Sequence, residues 1–288
     1  MIYRVTDLIP VVLLALACFV AGYFILTRLL RGLSPGQHPR LRKEPIPPAW
    51  YDIVERRVPL VHELSADERE RLLRLTQVFV AEKHFEGCGG VTVTEEMKVT
   101  IAAVACLLLL HLDGPCYPTL RTVLIYPHAF VPKRAAGPPR TGELIRSVVP
   151  VIGQSWGLGV IVVAWDEVVS GARDATDGHN VVLHEFAHQL DREDGVADGV
   201  PLLSAGALRT WARVLGQEYE RLRDDSVTQR LSALDPYGAT SKTEFFAVAT
   251  ESFFERPLQL EREHPELYGE LKRFYGQDPA RRASPTIT

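Results

Sequence analysis

At 288 residues the chain can hold one good-sized domain and a short appendage. With 46% hydrophobic and 24% charged residues it has a globular make-up, and a formal charge of -4 excludes the basic surface of a nucleic-acid binder. Its cysteines (Cys18, Cys88, Cys106, Cys116) form no C-x-x-C pair, which argues against a disulfide framework and for a reducing compartment.

The first predicted element is a membrane anchor. Leu8 to Leu26 is uncharged and rich in Val, Leu, Ala and Phe, close to the ~20 residues that a helix needs to cross ~30 Å of hydrocarbon. Arg28, Arg31, Arg40, Arg42 and Lys43 follow it, whereas only Arg4 and Asp7 precede it. That bias puts the rest of the chain in the cytoplasm. A cleaved signal peptide fits less well, because the run is long and no small-x-small site closes it before the arginines. A lipoprotein signal at Ala15-Leu16-Ala17-Cys18 fits less well too, since apolar residues continue to Leu26. The reading is an anchor over 1–31, a Pro/Arg-rich linker over 32–49, a folded domain over 50–280 and a tail over 281–288.

Within the domain, Ser65-Ala66-Asp67-Glu68 is a capping-box pattern opening a helix with Leu72, Leu75, Phe79 and Val80 at helical spacing. Val99 to Leu110 is apolar but too short to span a bilayer, so it predicts a buried helix. Thr122 to Tyr126 and Val160 to Val163 are β-branched and bounded by Gly and Pro, hence strands. From Asn180 onward the periodicity is mostly helical, with Trp211, Val214, Leu215, Tyr219 and Leu222 on one face and Leu267, Leu271, Phe274 and Tyr275 on another. Early strands and late helices predict an α+β domain.

The chemistry concentrates in His184-Glu185-Phe186-Ala187-His188. On a helix, two imidazoles four residues apart share a face, where one tetrahedral Zn²⁺ can take both. Glu185, one step round, is placed to take a proton from water that the metal activates. A catalytic zinc needs a third protein ligand. The pattern H-E-x-x-H-x-x-G-x-x-H fails, because Asp191 and Asp194 stand at its later positions. Asp194 and Asp235 remain candidates, as do Glu244 and Glu251, which are seven apart on one face of an aromatic-rich helix. Ser241-x-x-Glu244 is also a capping box, which gives Glu244 a competing structural reading. His111, His128 and His179 are isolated and read as structural, and Trp156 and Trp165 as core or cleft wall.

The segment Asn180 to Asp191 resembles the signature of the Mlc titration factor A (glucose-regulated metallopeptidase) family. So do Asp235-Pro236-Tyr237-Gly238, Glu244-Phe245-Phe246-Ala247-Val248, Phe253-Phe254-Glu255-Arg256-Pro257 and Phe274-Tyr275-Gly276-Gln277-Asp278-Pro279. Ile101-Ala102-Ala103 and Tyr126-Pro127-His128-Ala129-Phe130 match upstream, so the likeness runs over about residues 50–280.

The resemblance implies a zincin-like domain similar to the catalytic core of anthrax lethal factor. It implies zinc on His184, His188 and Glu244, with Glu185 as catalytic acid/base and Tyr237 facing the developing oxyanion. Glu251 is then left to orient a histidine ligand. The implied activity is peptide hydrolysis of aminopeptidase type on a peptide or protein substrate. The alternative is a binding protein that sequesters a transcriptional regulator, with zinc mainly structural. Typical family members are soluble and cytoplasmic, so the apolar N-terminus is a departure from the resemblance.

Overall fold

The computed structural model describes residues 44–129 and 159–283. The apolar N-terminal run, most of the linker, Phe130, Trp156 and the last five residues of the tail lie outside the described residues. Among those described, no helix is long and apolar enough to cross a membrane.

Helix α1 (Pro48–Arg57) begins on a proline, whose fixed φ and missing N–H suit a first helical turn. Helix α2 (Ala66–Glu82) opens on the expected capping box. Ser65 Oγ accepts the Glu68 N–H at 3.3 Å and the Glu68 carboxylate accepts the Ser65 N–H at 2.9 Å, an arrangement worth ~1 kcal/mol. Arg74 and Gln77 on α2 donate to the carbonyl of Glu44, so the stretch just before α1 is docked on the domain.

Three strands, β1 (His84–Gly87), β2 (Thr122–Tyr126) and β3 (Val160–Ala164), form a sheet in that order, every pair parallel. His84 registers with Thr122, and Thr122 with Val160. Val123, Leu124 and Ile125 on the central strand are all buried, as in a parallel strand covered on both faces. Parallel neighbours require a crossover, and between β1 and β2 it includes α3 (Glu95–Leu107). This helix is buried from Val99 onward, as its apolar run predicts. Strands β2 and β3 also fall where expected. The polar His-Phe-Glu-Gly of β1 carries no strand pattern and is recognisable only from its pairing.

Helices dominate after β3: α4 (Trp165–Gly171), α5 (Val181–Asp191), α6 (Ala205–Thr228), α7 (Lys242–Glu255), α8 (Pro257–Glu263), α9 (Pro265–Tyr275) and α10 (Pro279–Ala283). The result is a mixed, mainly helical fold around a small parallel sheet. Val182, Leu183, Phe186, Ala187 and Leu190 of α5 are buried, with the Phe186 ring 4.9 Å from Tyr117 and 5.6 Å from Phe79. Helix α7 is buried along nearly its whole length, its aromatic and small apolar residues packing on several sides and its acids enclosed with them. Its Phe246 meets Trp211 of α6 and its Phe253 meets Tyr275 of α9. Each large side chain so buried contributes roughly 1.5–3 kcal/mol. Helix α7 also packs against α5, and a cluster of histidines and glutamates lies at their interface.

Candidate metal centre

Helix α5 starts at Asn180, whose side-chain Oδ1 accepts the N–H groups of Val182 at 3.2 Å and Leu183 at 3.1 Å. One turn on, helical periodicity brings His184 and His188 together. Their Nε2 atoms are 3.1 Å apart, and each lies 3.2 Å from Oε2 of Glu244 on α7. Donors ~2.0–2.1 Å from one tetrahedral ion stand about 3.3 Å apart, so the triangle has the right size for a single metal ion. Both imidazoles are buried, while Glu244 keeps 18% of its side chain exposed.

The protonation logic agrees. Nδ1 of His184 is 2.8 Å from Oε2 of Glu251. A carboxylate only accepts, so His184 donates there and its Nε2 carries the lone pair. That lone pair faces the Glu244 carboxylate and His188 Nε2. Nδ1 of His188 is buried with no hydrogen bond among the described residues. Two imidazole nitrogens and a carboxylate oxygen are thus crowded into one small space, an arrangement that a shared cation would satisfy. The residues fit a divalent metal.

Of the four acids open as third ligand, Glu244 is the one in the triangle. Its backbone N–H is capped by Ser241 Oγ at 3.2 Å, so the capping motif is real, yet its side chain turns to the imidazoles. Glu251 holds the far nitrogen of His184. Asp194 is exposed and accepts the Val196 N–H, while Asp235 accepts the Tyr237 N–H and pairs with His179. Neither joins the cluster.

Glu185 follows His184 on α5 and is half-buried. Tyr237 is half-buried in the 3-10 turn Pro236–Thr240, which packs on α7: a Cβ at Gly238 would come within 3.3 Å of Val248. The isolated histidines each have a carboxylate partner, His111 with Glu68, His128 with Asp166 and His179 with Asp235, in keeping with structural roles.

The supports of this cluster include Asn180, Asp191 and Glu255, which stand within the matching segments but to which the sequence assigns no role. Asp191 is fully buried, and its Oδ1 accepts the Gly199 N–H at 2.8 Å. Burial pushes its carboxyl above the usual range. Gly199 has φ +81°, and a Cβ there would stand 2.5 Å from the Lys242 carbonyl. The loop after α5 thus lies directly on the first turn of α7, two residues from Glu244. Asn180 and Glu255 are a second such support, joined at 3.0 Å.

Two histidines of an H-E-x-x-H helix and a glutamate from a distant helix form a donor set that could hold a metal ion, as a metallopeptidase-type protein requires. The chain matches the family described as glucose-regulated metallo-peptidase M90 over residues 34–276. It is 38% identical over 243 residues to the protein slr2042 of Synechocystis sp., covering 83% of this chain and 88% of that one. It is 33% identical over 242 residues to Mlc titration factor A of Serratia proteamaculans, covering 81% and 88%. Against Mlc titration factor A of Pectobacterium atrosepticum the identity is 34% over 234 residues, covering 78% and 85%. The chain belongs to the M90 family of glucose-regulated metallopeptidases.

Proposed function

We propose that the protein is a zinc peptidase of aminopeptidase type, with His184, His188 and Glu244 as ligands. The observation that carries this reading is the convergence of those three donors, with a half-buried Glu185 following His184 on α5. Zinc held there supplies Lewis acidity, polarising a carbonyl and lowering the pKa of water toward ~7. Glu185 takes the proton from the attacking water and delivers it to the leaving amine. The Tyr237 hydroxyl donates to the oxygen that gains charge, a contribution of about 3 kcal/mol for a well-placed donor. Glu251 fixes the tautomer of His184 so that its Nε2 turns a lone pair toward the metal position. The β3 strand has β2 on one side only among the described residues, and its other edge can pair with an extended peptide.

The test is metal analysis together with hydrolysis of chromogenic aminopeptides, with and without chelator. Glu185→Gln keeps stoichiometric zinc and loses about 10²–10⁴-fold in turnover, whereas His184→Ala loses both. Undiminished turnover by Glu185→Gln rejects the mechanism.

A second reading is favoured by the relatives' name, Mlc titration factor A: the protein binds a transcriptional regulator and its zinc is mainly structural. Capture of a purified Mlc-type repressor that survives His184→Ala, with no hydrolysis of any peptide library, supports that reading over the first. We further propose that Leu8 to Leu26 tethers the domain to a membrane with its site facing the cytoplasm. Release of the full-length chain from membranes by carbonate wash argues against the tether.

A further inference from the structure

Glu251 touches α5 at two points. Its Oε2 meets His184 Nδ1 at 2.8 Å, and its Oε1 accepts the backbone N–H of Asn180 at 2.9 Å. The rotational setting of α5 against Glu251 therefore depends on where Asn180 sits. Asn180 caps the helix with Oδ1 alone, a task that Ser or Asp performs equally well. What asparagine adds is the amide Nδ2, and this donates to Glu255 Oε1 at 3.0 Å. Glu255 stands one turn beyond Glu251 on α7, and both partners are buried, Asn180 at 7% exposure and Glu255 at 4%.

Burial pushes the Glu255 carboxyl up to about 8, the Asn180 hydrogen bond opposing this and the Glu251 charge adding to it. The same end of α7 also holds the approach to α5. Arg256 donates to the Thr176 carbonyl at 3.2 Å, and its side chain lies against Gly178, where φ is +77° and a Cβ would come within 3.1 Å.

We propose that Asn180 and Glu255 are positioning residues for the metal centre: their hydrogen bond locks the first turn of α5 onto α7, so that Glu251 meets His184 Nδ1 squarely. The inference rests on the reading of His184, His188 and Glu244 as a metal site, and it concerns residues that touch neither metal nor substrate.

The experiment measures zinc affinity of the full chain by chelator competition, alongside the melting temperature of the metal-free protein. The wild type is measured first. If it binds no zinc, the metal reading itself fails, and this inference with it. Given a wild type that binds, Asn180→Ser, which keeps the cap and loses the amide, weakens zinc binding about tenfold. Glu255→Leu does the same, while Glu255→Gln, which keeps an acceptor oxygen, stays within about threefold of wild type. Because one contact is removed in either case, the Asn180→Ser/Glu255→Leu double variant binds no more weakly than the weaker single.

Ser252→Ala is the control for plain destabilisation. It removes a buried hydrogen bond from α7 to the Ala233 carbonyl, so it lowers the melting temperature and leaves zinc affinity alone. Should Glu255→Leu not fold, Asn180→Ser against Ser252→Ala carries the comparison. Wild-type zinc affinity in Asn180→Ser overturns the proposal. So does loss in Glu255→Gln as large as in Glu255→Leu, or additive losses in the double variant.

Discussion

Helices α6 and α7 are both rich in acids, and they use them in opposite ways. On α6, Glu220 faces water beside an arginine of the same helix: Arg223 is 2.9 Å from it, with 53% and 62% of their side chains exposed. On α7, Glu244, Glu251 and Glu255 point across a buried interface to the histidines and the cap of α5. A solvated ion pair gains little, because water screens it and two long side chains must be ordered. A carboxylate inside the protein must find a partner, and on α7 Glu244 and Glu251 find theirs in the histidines while Glu255 finds the Asn180 amide. The surface groove of about 850 Å³ beside Arg213, Glu220 and Arg230 on and just beyond α6 makes the same point, since among the described residues no set of metal donors converges there. Concavity alone does not make a site.

The largest way to break this contrast is at the triangle itself. Structural zinc sites release about 10–16 kcal/mol over some four ligands. Glu244→Ala is therefore expected to weaken zinc binding by ~10²–10³-fold or more and to remove hydrolysis with it, read by chelator competition and peptide assay. A variant that still binds zinc at wild-type strength would place the third ligand elsewhere. Glu251→Ala comes next, with about 10–100-fold weaker zinc, because His184 loses the acceptor that fixes its tautomer. Crystals of that variant should show the His184 ring turned or unsettled, and an unchanged ring with unchanged affinity would leave Glu251 without a role.

How legible this was in advance follows the same division. The α5 helix could be read because its apolar positions recur at helical spacing around His184 and His188. The candidacy of Glu244 and Glu251 could be read because two acids among so many aromatics on α7 cannot both face water. Their division of labour could not. Seven residues separate them, about 10 Å of helix, and only the crossing of α7 over α5 shows that one reaches Nε2 of His184 and the other Nδ1 of the same ring. The family resemblance assigned those roles where spacing left them open. Asn180 and Glu255 stayed silent because an N-cap and an acid near a helix end are common, and their pairing exists only in the folded chain. Strand β1 was silent for a like reason, its four residues being held by neighbours rather than by a pattern of their own.

The contrast can be sharpened by pH. Burial holds the Glu255 carboxyl at about 8 in the folded chain, against 4.5 for an ordinary glutamate. Between those values the folded state keeps a proton that the unfolded state has released, so this group makes stability fall as pH rises through the window. Glu255→Gln removes that contribution. The variant should therefore gain on the wild type between pH 5 and pH 8, by on the order of 1–2 kcal/mol once relaxation around the buried acid is allowed for. Melts of the two metal-free proteins at both pH values measure it, and parallel pH profiles would show that the carboxyl titrates normally.

The smallest effect belongs to α6, and it tests the comparison from the other side. Glu220→Ala removes the partner of Arg223 but leaves both positions in solvent, where the guanidinium is hydrated and lies 5.8 Å from the centre of the Tyr219 ring. The expected change in stability is within about 0.5 kcal/mol, and less at high salt, because screening already removes most of the pair's attraction. Zinc affinity should not move at all. A loss of metal in Glu220→Ala would mean that α6 communicates with the α5–α7 interface through the Trp211–Phe246 contact, and the acids of the two helices could then no longer be treated as independent.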